Sequence, residues 1–77
     1  MRTNDTPRGA MAITPSDTAT RLLIGFYVGG AGNVTVVDSL GTTTTFANVP
    51  AGQFIALQIN KIKATGTTAS NIVGFVE

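Results

Sequence analysis

Alternation of apolar and polar positions divides the chain into short extended segments. Ala10-Met11-Ala12-Ile13-Thr14 reads as a short strand stopped by Pro15. Ser16-Asp17-Thr18 is turn chemistry, because these side chains bond readily to nearby backbone N–H groups. From Arg21 to Val28 the alternation sets Leu22, Ile24, Phe26 and Val28 on one face and Arg21, Leu23, Gly25 and Tyr27 on the other. Both faces are largely apolar, which predicts a central strand covered on each side. Gly29-Gly30-Ala31-Gly32 then separates two β-prone runs, the local recipe for a hairpin with at least one glycine at positive φ. Asn33 to Ser39 alternates again, with Val34 and Val36 opposite Thr35 and Val37.

Ser39-Leu40-Gly41 predicts a second tight turn, and Thr42-Thr43-Thr44-Thr45-Phe46 a β-branched strand after it. Asn48-Val49-Pro50-Ala51-Gly52 reads as a loop, since Pro50 cannot donate to a ladder. The longest strand is expected from Gln53 to Ala64, with Ile55, Leu57 and Ile59 on one face. Its alternation slips between Ile59 and Ile62, which predicts a bulge or bend near Asn60-Lys61. Thr65 to Ser70 turns the chain into a last strand, Asn71 to Val76. No ten-residue segment has helical periodicity. The pattern predicts an all-β fold, a small antiparallel β-sandwich or barrel of about six strands. Residues 1–9, with Arg2, Asp5, Pro7, Arg8 and no periodicity, read as an extended N-terminal arm, and residues 10–77 as a single β domain.

Composition changes this picture in one respect: the domain is poorly equipped to stand alone. A chain of 77 residues buries only about 60–65% of its unfolded surface. It has no Cys and no His, so no disulfide staples it, and its redox compartment is unreadable. The carboxylates Asp5, Asp17, Asp38 and Glu77 are too few and scattered to suggest a structural metal. Charged residues make up 12% and hydrophobic ones 43%, whereas about 25% charged is usual. Such a surface is best explained if neighbours cover much of it, so association with copies of itself or a larger assembly is expected. The net charge of +1 is no nucleic-acid footprint, and Lys61 and Lys63 alternate around Ile62 as on a solvated strand face. No apolar run approaches the 18 residues of a membrane-crossing helix, and the start lacks a signal-peptide apolar core. A soluble chain without an export signal, membrane or nucleic-acid partner is the expectation.

Candidate chemistry is sparse. The glycine cluster lacks the spacing of a phosphate loop, and a strand follows it rather than a helix. The hydroxyls of Thr42 to Thr45 have no His or Cys to activate them, and only Lys61 and Lys63 could act as amine bases. Asn4-Asp5-Thr6 and Asn33-Val34-Thr35 match the glycosylation pattern by chance. Tyr27 and Phe46 could stack on a sugar or base, but with 6% aromatics they read better as core or interface residues. No catalytic, cofactor-binding or metal-binding residue is expected, and no enzyme.

Four segments together resemble a known family. Ala12-Ile13-Thr14-Pro15-Ser16-Asp17, Tyr27 to Val36, Phe46 to Gly52 and Ala64 to Gly74 are similar, in order and spacing, to the spike base proteins of tailed phages and gene transfer agents. The resemblance covers residues 10–75. Members of that family often begin with an acidic, aromatic-containing arm and end in an aromatic residue; here the arm is basic and the end is Phe75-Val76-Glu77. The resemblance implies a virion structural protein, assembled in the host cytoplasm and carried on the capsid surface, either as a decoration or cement protein or as the base of a head spike. It would self-associate in a trimeric or pentameric ring and dock on the major capsid protein or another virion protein, with the arm running over the shell. A small carbohydrate- or peptide-binding module using Tyr27 is the alternative.

Overall fold

The computed structural model describes residues 9–76. They form seven strands: β1 (Gly9–Ile13), β2 (Gly25–Gly30), β3 (Gly32–Asp38), β4 (Thr43–Val49), β5 (Gln53–Ile55), β6 (Ile59–Lys63) and β7 (Ser70–Val76). The strands make two antiparallel sheets, a four-stranded one in the order β1-β7-β2-β5 and a three-stranded one in the order β4-β3-β6. These are called sheet A and sheet B below. The all-β expectation holds, and the sandwich alternative is the one adopted. Residues 1–8, most of the expected arm, lie outside the described residues, and Gly9 already belongs to β1, opposite Val76.

The core is the space between the sheets. Phe26, Val28 and Ile72 project into it from sheet A, and Val34, Val36 and Ile62 from sheet B, all at 4% exposure or less. Phe46 closes one side, its ring centroid 6.3 Å from that of Phe26. Gly74, opposite Phe26 in the ladder, leaves the room that Leu23 fills: a Cβ there would lie 2.7 Å from both Leu23 methyls.

The glycine cluster does not make a hairpin. Gly30 pairs with Ser70 in sheet A and Gly32 with Val49 in sheet B, so Ala31 links the two sheets. Core burial explains the choice: Phe26 and Val28 on one side and Val34 and Val36 on the other face each other across the sandwich, as a flat hairpin would not allow. Gly32 is required by close approach, since a Cβ would lie 2.6 Å from the Ala69 amide nitrogen. The neighbouring segment clamps this crossover. Thr68 and Ala69 N–H both donate to the Asn33 carbonyl, at 2.8 and 3.1 Å, and Asn33 N–H donates to Thr68 Oγ1 at 2.8 Å.

Two strands expected as continuous are divided between the sheets for the same reason. Arg21–Val28 breaks at Ile24: Leu23 bridges to Ile59 of sheet B, whereas β2 begins at Gly25 in sheet A. The face assignment therefore changes, with Leu23 buried and Leu22 70% exposed. Gln53–Ala64 likewise becomes β5 in sheet A and β6 in sheet B, joined through Ala56–Gln58. The expected bulge is present at its foot. Val37 pairs with Lys61 but Asp38 with Ile59, so Asn60 is the extra residue.

The tight turn at Ser39-Leu40-Gly41 forms as expected, with Gly41 at φ 87°. Asp38 Oδ1 accepts from Leu40 N–H at 2.9 Å and Thr42 N–H at 3.0 Å. The following strand runs further than expected, through Asn48 to Val49. Asn48 takes φ 56°, a conformation that asparagine tolerates better than most residues, and its N–H donates to Asn33 Oδ1 at 2.9 Å.

Candidate functional site

Residues paired across a ladder point to the same side of a sheet, so the registers define the two outer faces. On sheet A, Tyr27 stands between Val73 and Phe54, and Phe75 between Gly25 and Ala10, with Ala12 opposite Val73. Among the described residues that face carries no charged residue, and Asn71, beside Gly29 at its end, is its one polar side chain apart from the Tyr27 hydroxyl. The Phe54 and Phe75 rings meet edge to face, centroids 5.3 Å apart, and reach over Gly25, where a Cβ would lie 2.9 Å from Phe54 Cζ. Tyr27 is 38% and Phe54 44% exposed. Edge-to-face contact is a favoured arrangement of two phenyl rings and joins them into one apolar surface.

Sheet B presents a different chemistry. Thr35 pairs with Thr45 and Lys63, and Val37 with Thr43 and Lys61. Thr35 is nonetheless 5% exposed, because the Thr65–Thr68 loop folds over it. Its N–H donates to Thr67 Oγ1 at 3.0 Å, and its hydroxyl and that of Thr45 lie 2.9 Å apart. Ile62 faces the core between the two outward lysines, as its alternation with them predicts.

A strap from Pro15 to Leu23 runs beside sheet B. Ser16 Oγ accepts from Ala19 N–H at 3.1 Å, and Asp17 pins the strap to the Thr65 turn. Its Oδ2 accepts the Thr65 hydroxyl at 2.6 Å and its Oδ1 the Thr65 N–H at 2.9 Å. The Thr65 hydroxyl first, and then the Thr65 N–H, hold the Asp17 carboxyl below its ordinary 3.8. At one end of the sandwich a groove of about 310 Å³ is lined by Leu22, Leu23, Ser39, Gln58 and Ile59 among others, with no charged residue on its wall. Beyond it, at the β3–β4 turn, Leu40 is 90% exposed.

Among the described residues no group of three carboxylate, His or Cys side chains could hold a metal ion. Thr43 and Thr45 lie on sheet B's outer face, separated from Lys61 and Lys63 by Val37 and Thr35 of the intervening strand, and the Thr45 hydroxyl already bonds to that of Thr35. Of the two aromatic residues singled out by sequence, Phe46 belongs to the core and Tyr27 to the exposed face of sheet A. Phe54, Phe75, Val73, Ala10 and Ala12, which complete that face, had escaped notice. Their signal was present: in β1, β2 and β7 both alternating sets are apolar, and only one set can face the core.

The fold is a small antiparallel β-sandwich with one uncharged outer face. Neither a family model nor a curated protein matches the chain. A solved structure does: a chain of the "Capsid of native GTA particle computed with C5 symmetry", GTA denoting gene transfer agent, superposes with a TM-score of 0.80 at 32% sequence identity. The match covers 91% of this chain and 83% of that one. The chain belongs to the same family as that gene transfer agent capsid component, and its role is that of a virion structural protein.

Proposed function

We propose that the protein sits on the outside of the capsid, as a decoration or cement protein or as the base of a head spike, and acts by adhesion rather than catalysis. The observation that carries this reading is the uncharged outer face of sheet A on a chain that is similar, over nearly its whole length, to a capsid component. A face of Ala10, Ala12, Tyr27, Phe54, Val73 and Phe75 gains by losing water and has no charge to desolvate. Its occupant is the major capsid protein or another virion protein, and copies of the chain form a ring around the docking point. The ring is a trimer or a pentamer, the pentamer being compatible with the C5 symmetry of the similar particle. The spike base family named from sequence is one form of this role.

Imaging of purified particles with the chain tagged after Val76 tests the placement. Density in rings on the outer capsid shell supports it; density confined to the tail overturns it. Sedimentation of the isolated chain tests the ring, which predicts oligomers in place of a monomer.

A further inference from the structure

Each side of the sandwich has one long sheet edge with no partner among the described residues. On the first side, β6 is sealed by the chain's own strap. Ser16 N–H donates to the Ile62 carbonyl at 2.9 Å and Arg21 N–H to the Asn60 carbonyl at 2.6 Å. Leu23 and Ile59 exchange both backbone bonds, at 3.0 and 2.9 Å. β1, on the same side, is the open end of sheet A. On the second side β5 ends sheet A with only three residues, whereas β4 ends sheet B with seven. Contacts across the core fix these sides. Phe46 of β4 meets Phe26 of β2, and Gly52 N–H, in the turn from β4 to β5, donates to the Val28 carbonyl. Leu23, bonded to β6, lies against Gly74 of β7 close to Ile13 of β1.

Neither open edge is guarded by charge or proline, and the irregularity of β4 lies beyond Phe46, which leaves Thr43–Thr45 in regular register. Gly9–Ile13 and Thr43–Val49 contain no charged residue and no proline, the devices that keep a free edge from pairing. Asp38 N–H donates to the Thr42 carbonyl at 3.0 Å, so that pair is hydrogen-bonded. Alternation along an antiparallel ladder then turns the amides and carbonyls of Thr43 and Thr45 outward. Such groups are satisfied best by another extended backbone.

We infer that β4 of one copy pairs with β1 of the next, head to tail. Two different edges on opposite sides make a heterologous contact, which closes into a ring when the rotation between successive copies closes, as the proposed ring requires. Pairing of β4 with itself would stop at a dimer and leave β1 open in both copies. The inference rests on the ring proposed above and names its seam.

The chain has no cysteine, so crosslinking can be made specific. Ala12→Cys on β1 and Thr43→Cys on β4 place exposed thiols on opposite sides of one copy, out of reach of each other for a short bismaleimide. Ala47→Cys replaces Thr43→Cys if that variant folds poorly. The oligomeric double variant should crosslink into a ladder ending at the ring size, and the two single variants mixed should give dimers and nothing larger. Each single variant alone should stay monomeric on a denaturing gel. Dimers from Thr43→Cys alone would show self-pairing of β4 and overturn the seam. Oligomers in sedimentation without crosslinks would also overturn it while leaving the ring intact. A monomer in sedimentation would overturn the ring itself, and the seam with it.

Discussion

The two outer faces of the sandwich share a backbone geometry and differ in everything else. Sheet A shows Tyr27, Phe54, Val73 and Phe75, with aromatic rings meeting edge to face. Sheet B shows threonines and lysines, and where it buries a residue, Thr35, its backbone N–H donates to Thr67 Oγ1 and its hydroxyl bonds with that of Thr45. A face finished by internal hydrogen bonds and lysines is complete in water. A face of exposed rings is complete only against another surface. On the proposed function the contact role falls to sheet A and the solvent-facing role to sheet B, and the following substitutions can break or sharpen that division.

The largest effect separates the inside of sheet A from its outside. Phe26 is fully buried and Tyr27, its neighbour, is 38% exposed. Phe26→Ala should cost about 3–5 kcal/mol of folding stability, measured by chemical denaturation of the isolated chain. Tyr27→Ala should cost well under half as much in the same assay, so equal losses would place both residues in one core and dissolve the distinction. Next comes the crossover that joins the two sheets. Gly32→Val drives a branched side chain into the Ala69 backbone and should cost about 1–3 kcal/mol. An unchanged denaturation midpoint would show that the sheets tolerate separation at Ala31.

Thr35→Val keeps shape and removes one hydroxyl, leaving the Thr45 hydroxyl to bond with water. A loss of about 1 kcal/mol is expected; a gain in stability would mean that the polar network on sheet B is not what finishes that face. The smallest effect is local. The Asp17 carboxyl is held low in the folded state by the Thr65 hydroxyl and N–H, so its contribution is present above the unfolded value of 3.8 and fades as pH falls through the lower folded value. Hydrogen exchange at the Thr65 amide should therefore speed up on acidification below that range, after correction for intrinsic rates. Asp17→Asn should show faster corrected exchange already at neutral pH. Equal protection in wild type and variant would show that the strap is held elsewhere.

Much of this architecture was legible from period-two alternation. The strands, the Ser39–Gly41 turn and the slip at Asn60 each follow from where apolar residues stop alternating. Which sheet a strand joins was not legible. Alternation reports that Phe26 and Val34 each need a buried side, and it is silent on whether the two strands lie beside or across from each other. The glycine cluster was therefore read as a hairpin although it is a crossover, and Leu23 and Phe26 were assigned to opposite faces although both reach the core from different sheets. The contact face was half legible: Tyr27 stood out as an aromatic residue, whereas Ala10, Ala12 and Val73 gain meaning only when the ladder sets them beside it.

The central claim, that sheet A's outer face is the docking surface, is tested most directly by occupancy on purified particles. Wild-type chain, a Tyr27→Asp/Phe54→Asp variant and a Lys61→Glu/Lys63→Glu variant, each shown to be folded by circular dichroism, would be added to particles lacking the protein and the bound copies counted. The account predicts near wild-type occupancy for the lysine variant and loss of binding for the sheet A variant. Full occupancy by the sheet A variant, with loss on changing the lysines, would contradict it.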